Sequence, residues 1–249
     1  MSMVKTYRKK TDSNSRCVLI EGDGRRLDML EEESIDCIIT DHPWLDSLSN
    51  RGGNRSFSDY ECFRYELEDF KEKARVLKPG CFLVEFLPAE NESNYRYLYQ
   101  IKELARQCGL EYYSKVSWKK GKFISNTGRK AKNSQDIMIF SKGKARCMRL
   151  DQKKTKKDGK IHYMSGAAGM LPAMFDVEPV PRNQKIHQSE LPVELCEQLI
   201  PYFTKEGEII LDQFAGSGAV GVAALKLGRR CILIEKSQED MEQIRKRVG

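Results

Sequence analysis

The chain is poor in several things that would place it elsewhere. No apolar run approaches the ~20 residues needed to cross a bilayer. The longest, CFLVEF (81–86) and CILIE (231–235), are strand-sized. The eight cysteines, at 17, 37, 62, 81, 108, 147, 196 and 231, include no C-x-x-C pair. That spacing argues against a zinc site and against a disulfide framework; Cys in apolar segments behaves as a small hydrophobe. The expected setting is a reducing cytoplasm, with no metal. Residues 1–16 form a basic tail with no apolar stretch behind it, so a secretory signal is not expected. What remains is the composition of a soluble globular protein, 40% hydrophobic and 32% charged over 249 residues. That length suits one large α/β domain or two small ones.

Acidic residues are also scarce in one place. From Lys115 to Lys160 there are 16 Lys/Arg against 3 Asp/Glu, while the rest of the chain has 27 against 33. One segment therefore carries the whole positive excess of a chain with net charge +7. A solvated loop is the plain reading of any charge run. So one-sided a concentration on an otherwise acidic chain favours a polyanion footprint.

Apolar periodicity predicts alternating strands and helices. Strands are expected at 17–23, 35–40, 81–86, 112–118, 136–142, 208–214 and 231–235, the second so apolar that it should be buried on both faces. Helices are expected over 59–80, stopped by Pro79-Gly80, then over 94–108, 191–203, the segment after residue 218, and 237–247 with Ser237 as N-cap. Residues 143–186 show no period and read as an inserted, loop-rich lobe. Alternation of this kind implies an α/β fold with a mainly parallel sheet.

Between a strand and a helix lies GSGAVG, residues 216–221, with the G-x-G-x-x-G spacing of dinucleotide-binding turns. Such a turn lets a ligand approach the backbone and aims amide N–H groups at a negative group. Glu235 ends the next strand, where a carboxylate can accept hydrogen bonds from a ribose diol. NAD and S-adenosylmethionine (SAM) both carry that diol. A dinucleotide fold needs further strand–helix units after its acid-ended strand, and only 14 residues follow Glu235. The sheet must be completed by strands earlier in the chain, which makes NAD the weaker choice.

LDQFAGSGAVGVAALKLGRRCILIE, taken with the upstream IITDHPW, resembles the β-group of SAM-dependent amino-methyltransferases that act on DNA. In that family the catalytic tetrapeptide precedes the SAM loop, a circular permutation, and the target-recognition region lies between them. LIEGDGRRLDML, ARVLKPGCFLVEF and KIHQSELPVELCEQLI resemble further family segments, and the likeness runs over about residues 17–247 with a gap near 143–182. The resemblance implies a Rossmann-like fold with a mostly parallel seven-stranded sheet flanked by helices. It implies a methyltransferase domain over 17–249, with the 143–186 lobe as target reader. The cofactor would be SAM, contacted by Asp23, Asp212, Phe214, Ala215, Gly216, Ser217, Gly218 and Glu235. The usual D-P-P-Y stands here as Asp41, His42, Pro43 and Trp44. Replacing a proline by His42 removes some backbone rigidity, while Pro43 still holds the turn.

An exocyclic amine is a poor nucleophile because its lone pair is delocalised into the ring. Asp41 can accept one amine proton in a hydrogen bond and the His42 backbone carbonyl the other, orienting the nitrogen and stabilising its growing charge. Trp44 can stack on the base once it is flipped out of the duplex. The imidazoles of His42 and His187 read as structural. Plainer readings exist for Asp41, as a turn cap, and for Trp44, as core. A cytosine ring-carbon enzyme would need Cys after Pro, and no Pro-Cys pair exists. Asp at the first position resembles the adenine-N6 enzymes, where cytosine-N4 enzymes more often have Ser. Lys119, Lys120, Lys122, Arg129, Lys130, Lys132, Lys153 and Lys154 are the expected phosphate contacts. The expected function is adenine-N6 methylation of double-stranded DNA. The alternatives are cytosine-N4 methylation, RNA adenine methylation, and an inactive SAM-binding subunit. A cognate restriction nuclease and a homodimer are compatible partners that the sequence does not test.

Overall fold

The computed structural model describes residues 16–44, 61–122, 133–149, 153–155, 157–163, 169–187 and 189–249. Its centre is a sheet built from β1 (Cys17–Glu21), β2 (Ile35–Thr40), β3 (Leu77–Pro88), β4 (Leu110–Lys119), β5 (Ser134–Lys142), β8 (Met174–Asp176), β9 (Ile209–Asp212) and β10 (Arg230–Glu235). The order across the sheet is β1-β10-β9-β2-β3-β5-β4-β8. Only β5 runs against the others: it pairs antiparallel with β3 and β4, and the remaining neighbours pair parallel. The first and last thirds of the chain thus interleave, β1 lying beside β10 and β2 beside β9. This is the completion that the position of the glycine turn required.

Strand alternation decides what each side of the sheet holds. Cys37, Ile39, Phe82, Val84, Phe86, Ile137, Ile139 and Ile210 face one layer. There α3 (Val193–Leu199) and α4 (Ala219–Lys226) pack on them, joined by Ile244 of α5 (Gln238–Val248). Ile38, Leu83, Leu87, Met138 and Leu211 face the opposite layer, under α1 (Leu67–Val76) and α2 (Tyr95–Gln107). With helices on both sides, every residue of β2 is buried, as its composition predicted. In α2 the buried residues are Tyr97, Leu98, Ile101 and Ala105, a 3–4 spacing. Ser237 caps α5, its Oγ accepting from the Asp240 N–H at 3.2 Å.

Three features differ from the sequence-based expectation. The helix expected over 59–80 spans Leu67–Val76, and β3 begins at Leu77, so Pro79-Gly80 lies inside a strand rather than ending a helix. The β2–β3 register shifts between Ile35↔Leu77 and Cys37↔Phe82, and this irregularity takes up the proline, which needs no ladder partner there. The sheet has eight strands rather than seven. The added edge strand, β8, comes from the segment read as irregular and pairs with the end of β4. The same segment holds a two-stranded hairpin, β6 (Lys153–Thr155) and β7 (Ile161–Tyr163). The basic tail lies outside the described residues except for Arg16. Among the described residues no helix is long and apolar enough to cross a membrane.

Candidate active site

The parallel strands end along one edge, and a cavity of about 510 Å³ opens there. In open α/β sheets the crevice beyond the strand C-termini, where neighbouring connections diverge, is the usual ligand position. Here the chain leaves β9 toward β10 on one side and leaves β2 toward β3 on the other. Asp212 ends β9 and Asp41 follows β2, so the divergence sets a buried and a half-buried carboxylate beside each other.

At the β9 side the turn after Asp212 leads into α4. Gly218 sits at the N-cap with φ +74, a left-handed conformation that L side chains rarely adopt. Gly221 lies where a Cβ would come within 2.5 Å of Leu233 Cδ1, so its absence lets α4 lie close on β10. The Glu235 carboxylate accepts the Gly216 N–H on Oε2 and the Ser237 N–H on Oε1, each at 2.8 Å, which fixes its orientation. Asp212 Oδ1 accepts from Thr40 Oγ1 at 3.0 Å and from the Phe214 N–H at 3.2 Å. Burial raises the Asp212 carboxyl to about 7, against the lowering effect of those two bonds. Asp23 is exposed and holds its own turn, accepting the Arg25 N–H at 3.0 Å. Gln213 donates to the Gly24 carbonyl at 2.7 Å, while its buried Oε1 accepts no hydrogen bond from the described residues.

At the β2 side, alternation separates the tetrapeptide. Asp41 continues the face of Cys37 and Ile39, toward the cavity. His42 continues that of Ile38 and turns the other way. Its ring is buried between Phe63, Tyr65 and Tyr97, with centroids 5.6, 4.0 and 6.3 Å away. Nε2 lies 3.1 Å from the Tyr97 hydroxyl, and Nδ1 lies 3.8 Å from Glu85 Oε2. Burial lowers the His42 pKa despite that carboxylate. Below it, Lys73 and Glu85 form a fully buried ion pair, and the Tyr65 hydroxyl donates to both Glu85 oxygens at 3.1 Å. The imidazole is thus structural, and a packed aromatic wedge replaces the rigidity of the missing proline. Asp41 is itself half-buried. Burial raises its carboxyl to about 7, against the lowering effect of Trp44, Lys120 and Gln135. Trp44 is tied to it, Nε1 donating to Asp41 Oδ1 at 3.1 Å.

The structure brings most of the expected residues together. Asp41, His42, Pro43, Trp44, Asp23, Asp212, Phe214, Ala215, Gly216, Ser217 and Glu235 all line the cavity. Gly218 does not; it shapes the turn from behind, against Ile244. The expected phosphate contacts divide. Lys120 lines the cavity, over the Trp118 ring at 4.6 Å. Lys119 is engaged by Asp176 at 2.6 Å, and the Lys122 N–H donates to Glu178 Oε1 at 3.0 Å. Arg129, Lys130 and Lys132 lie outside the described residues, as do the side chains of Lys153 and Lys154. Sequence reasoning missed Phe63, whose ring lies 5.5 Å from Phe214 across the cavity wall, and it missed Gln135 and Trp118. The last two are register partners on β5 and β4. Their placement at the same strand edge as Asp41 was the signal that could have found them.

A crossed α/β sheet with a glycine turn and two raised carboxylates in one crevice has the form of a nucleotide-cofactor site. The comparisons narrow it. Residues 35–246 match the family described as DNA methylase, so the chain belongs to that family, the SAM-dependent amino-methyltransferases of DNA. It is 30% identical over 230 residues to the type II methyltransferase M.HpaI of Haemophilus parainfluenzae, covering 90% of this chain and 71% of that protein. It is 27% identical to the type II methyltransferase M2.DpnII of Streptococcus pneumoniae, covering 99% and 93%. In fold it is similar to the M1.HpyAVI–SAM complex, with TM-score 0.65, 20% identity, and 94% and 99% coverage. It is equally similar to the cytosine-N4-specific PvuII DNA methyltransferase, with TM-score 0.66, 19% identity, and 94% and 87% coverage.

Proposed function

We propose that the protein methylates the exocyclic N6 of adenine in double-stranded DNA. The observation that carries the reading is a half-buried, cavity-facing Asp41 beside the glycine turn. The residues fit SAM: a carboxylate held for a ribose diol at Glu235, the Gly216–Ser217 backbone, and a buried, unpaired acceptor at Gln213 Oε1. Asp23, Asp212, Phe214 and Ala215 complete that compartment in this reading, with Gly218 shaping its turn. When bound, SAM supplies an electrophilic methyl on a positively charged sulfur.

The chain's own groups do the rest. Asp41 accepts a hydrogen bond from one amine N–H, and the backbone carbonyl of His42, beside its buried ring, accepts a hydrogen bond from the other. Both sharpen the nitrogen lone pair and favour the charge that grows on it. Trp44 offers a face for the extruded base, whose stacking returns ~1–3 kcal/mol of the flipping cost. Lys120 and the basic segment meet phosphates, and the 143–186 lobe reads sequence. Adenine is favoured over cytosine by Asp41 in place of the Ser more common in cytosine-N4 enzymes. Cytosine-N4 activity is the second reading, because both bases offer the same amine to the same carboxylate. Digesting methylated DNA to nucleosides tests this. N6-methyladenine supports the proposal, N4-methylcytosine replaces the base, and label on RNA alone replaces the substrate.

A further inference from the structure

We infer that Gln135 is a positioning residue for methyl transfer, its side-chain amide donating to Asp41 so that the carboxylate stays oriented toward the amine. The inference rests on the reading of Asp41 as the amine's acceptor. Gln135 begins the described part of the face that Ile137 and Ile139 continue on β5, the same face of the sheet as Cys37, Ile39 and Asp41. It pairs with Pro88 on β3 and Trp118 on β4, so strands on both sides hold its backbone. Both Gln135 and Asp41 line the cavity. The Gln135 Nε2 is buried and no donor–acceptor contact closes on it among the described residues, but its side chain lies close enough to Asp41 to favour that anion, whereas its neighbour Asp136 is bound by Lys115 at 3.0 Å and by the Glu90 N–H at 3.2 Å. A buried donor without an acceptor is costly, and the acceptor it faces is the Asp41 carboxylate.

Asp41 needs such a donor. Glu85 on β3 and Asp212 on β9 repel its charge, Lys120 at the end of β4 attracts it, and Trp44 donates to Oδ1. Cys196 on α3 faces the same charge and stays a neutral thiol, because burial pushes it up. When a base amine occupies the site and displaces solvent, an amide at Gln135 keeps the anion favoured without adding a charge.

The test is the pH profile of single-turnover methyl transfer at saturating SAM and DNA, for wild type, Gln135→Met and Gln135→Glu. Wild type should rise with pH through an ionisation of the Asp41–Asp212 pair near 7. Gln135→Met, of similar length but without a donor, should move that ionisation up by about one unit. Its rate at pH 6 should fall about tenfold and approach wild type at pH 9. Gln135→Glu, which adds a second acid in the same shape, should move it further. SAM affinity by calorimetry should change less than twofold in both. A loss of rate by the same factor at every pH, or an unmoved profile, overturns the inference. Asp41→Ala separates the two readings: wild-type activity in that variant removes the underlying one. A dead Asp41→Ala with an unmoved Gln135→Met profile removes only this inference. N4-methylcytosine as product changes the base and leaves the test intact.

Discussion

Asp41 and Asp212 are neighbouring carboxyls, one half-buried and one buried, each raised to about 7 from an ordinary value of 3.8 by loss of solvation. A carboxyl raised on folding binds its proton more tightly in the native state than in the unfolded chain, so stability falls as pH rises from about 4 to about 7. Asp212→Asn keeps an acceptor at Oδ1 for Thr40 and the Phe214 amide and removes the charge. It should stabilise the protein by about 4 kcal/mol at pH 8 and by almost nothing at pH 4, read by urea denaturation at the two values. In the proposed reading activity makes the opposite demand on Asp41, whose anion would accept from the amine. Methyl transfer should therefore rise with pH through about 7, and a flat profile between 6 and 8 would contradict that role. His42 shows what a motif conceals at this scale. It reads as a catalytic-loop residue that has lost a proline, but strand alternation turns its ring away from Asp41 into a packed aromatic cluster. The Tyr97, Tyr65 and Glu85 that surround it are distant in sequence and carry no shared pattern.

At the scale of elements, α1 is fastened to the sheet by charge as well as by its apolar face. Arg25 grips Asp69 at 2.7 and 3.0 Å, and Lys73 meets Glu85 where neither is exposed. A buried pair adds little over a well-packed apolar pair, but breaking one side leaves an isolated charge. Lys73→Met should therefore lose about 3–5 kcal/mol in chemical denaturation. Lys73→Met with Glu85→Leu should recover most of it, and additive losses in the double variant would show that the pair is not what couples α1 to β3. The strands of this region were legible where burial on both faces made them nearly all apolar, as in IDCIIT. The start of β3 was not, because Pro79-Gly80 carries a turn signature and only the irregular pairing with β2 reveals a strand there. The edge strand β8 is three residues long, too short for any period to declare itself.

Across the whole molecule, the order of the segments carried the most information. A glycine turn near the end of the chain had to borrow strands from the beginning, and β1 beside β10 with β2 beside β9 is that arrangement. The cavity's lining follows from it, since the glycine turn and the Asp41–Trp44 tetrapeptide can meet only at the strand edge. Partition of the basic segment was not legible, because it depends on partners far away. Lys115, Lys119, Lys142 and Arg146 are bound to Asp136, Asp176, Glu33 and Glu208, and so serve the fold. Fewer cations then face phosphate than the count implies. If about six make contact, log K should fall with log salt at a slope near −5. Lys120→Ala should reduce that slope by about one unit in a binding titration at several salt concentrations, and an unchanged slope would place Lys120 off the phosphate path.

The central claim is that Asp41 holds the amine that receives the methyl group. It is tested most directly by transfer of labelled methyl from SAM to unmethylated double-stranded DNA, comparing wild type with Asp41→Ala after SAM binding has been checked in both. The account predicts N6-methyladenine from the wild type and at least about 100-fold slower transfer from the variant, with SAM affinity unchanged. Transfer at the wild-type rate without the Asp41 carboxylate would contradict it.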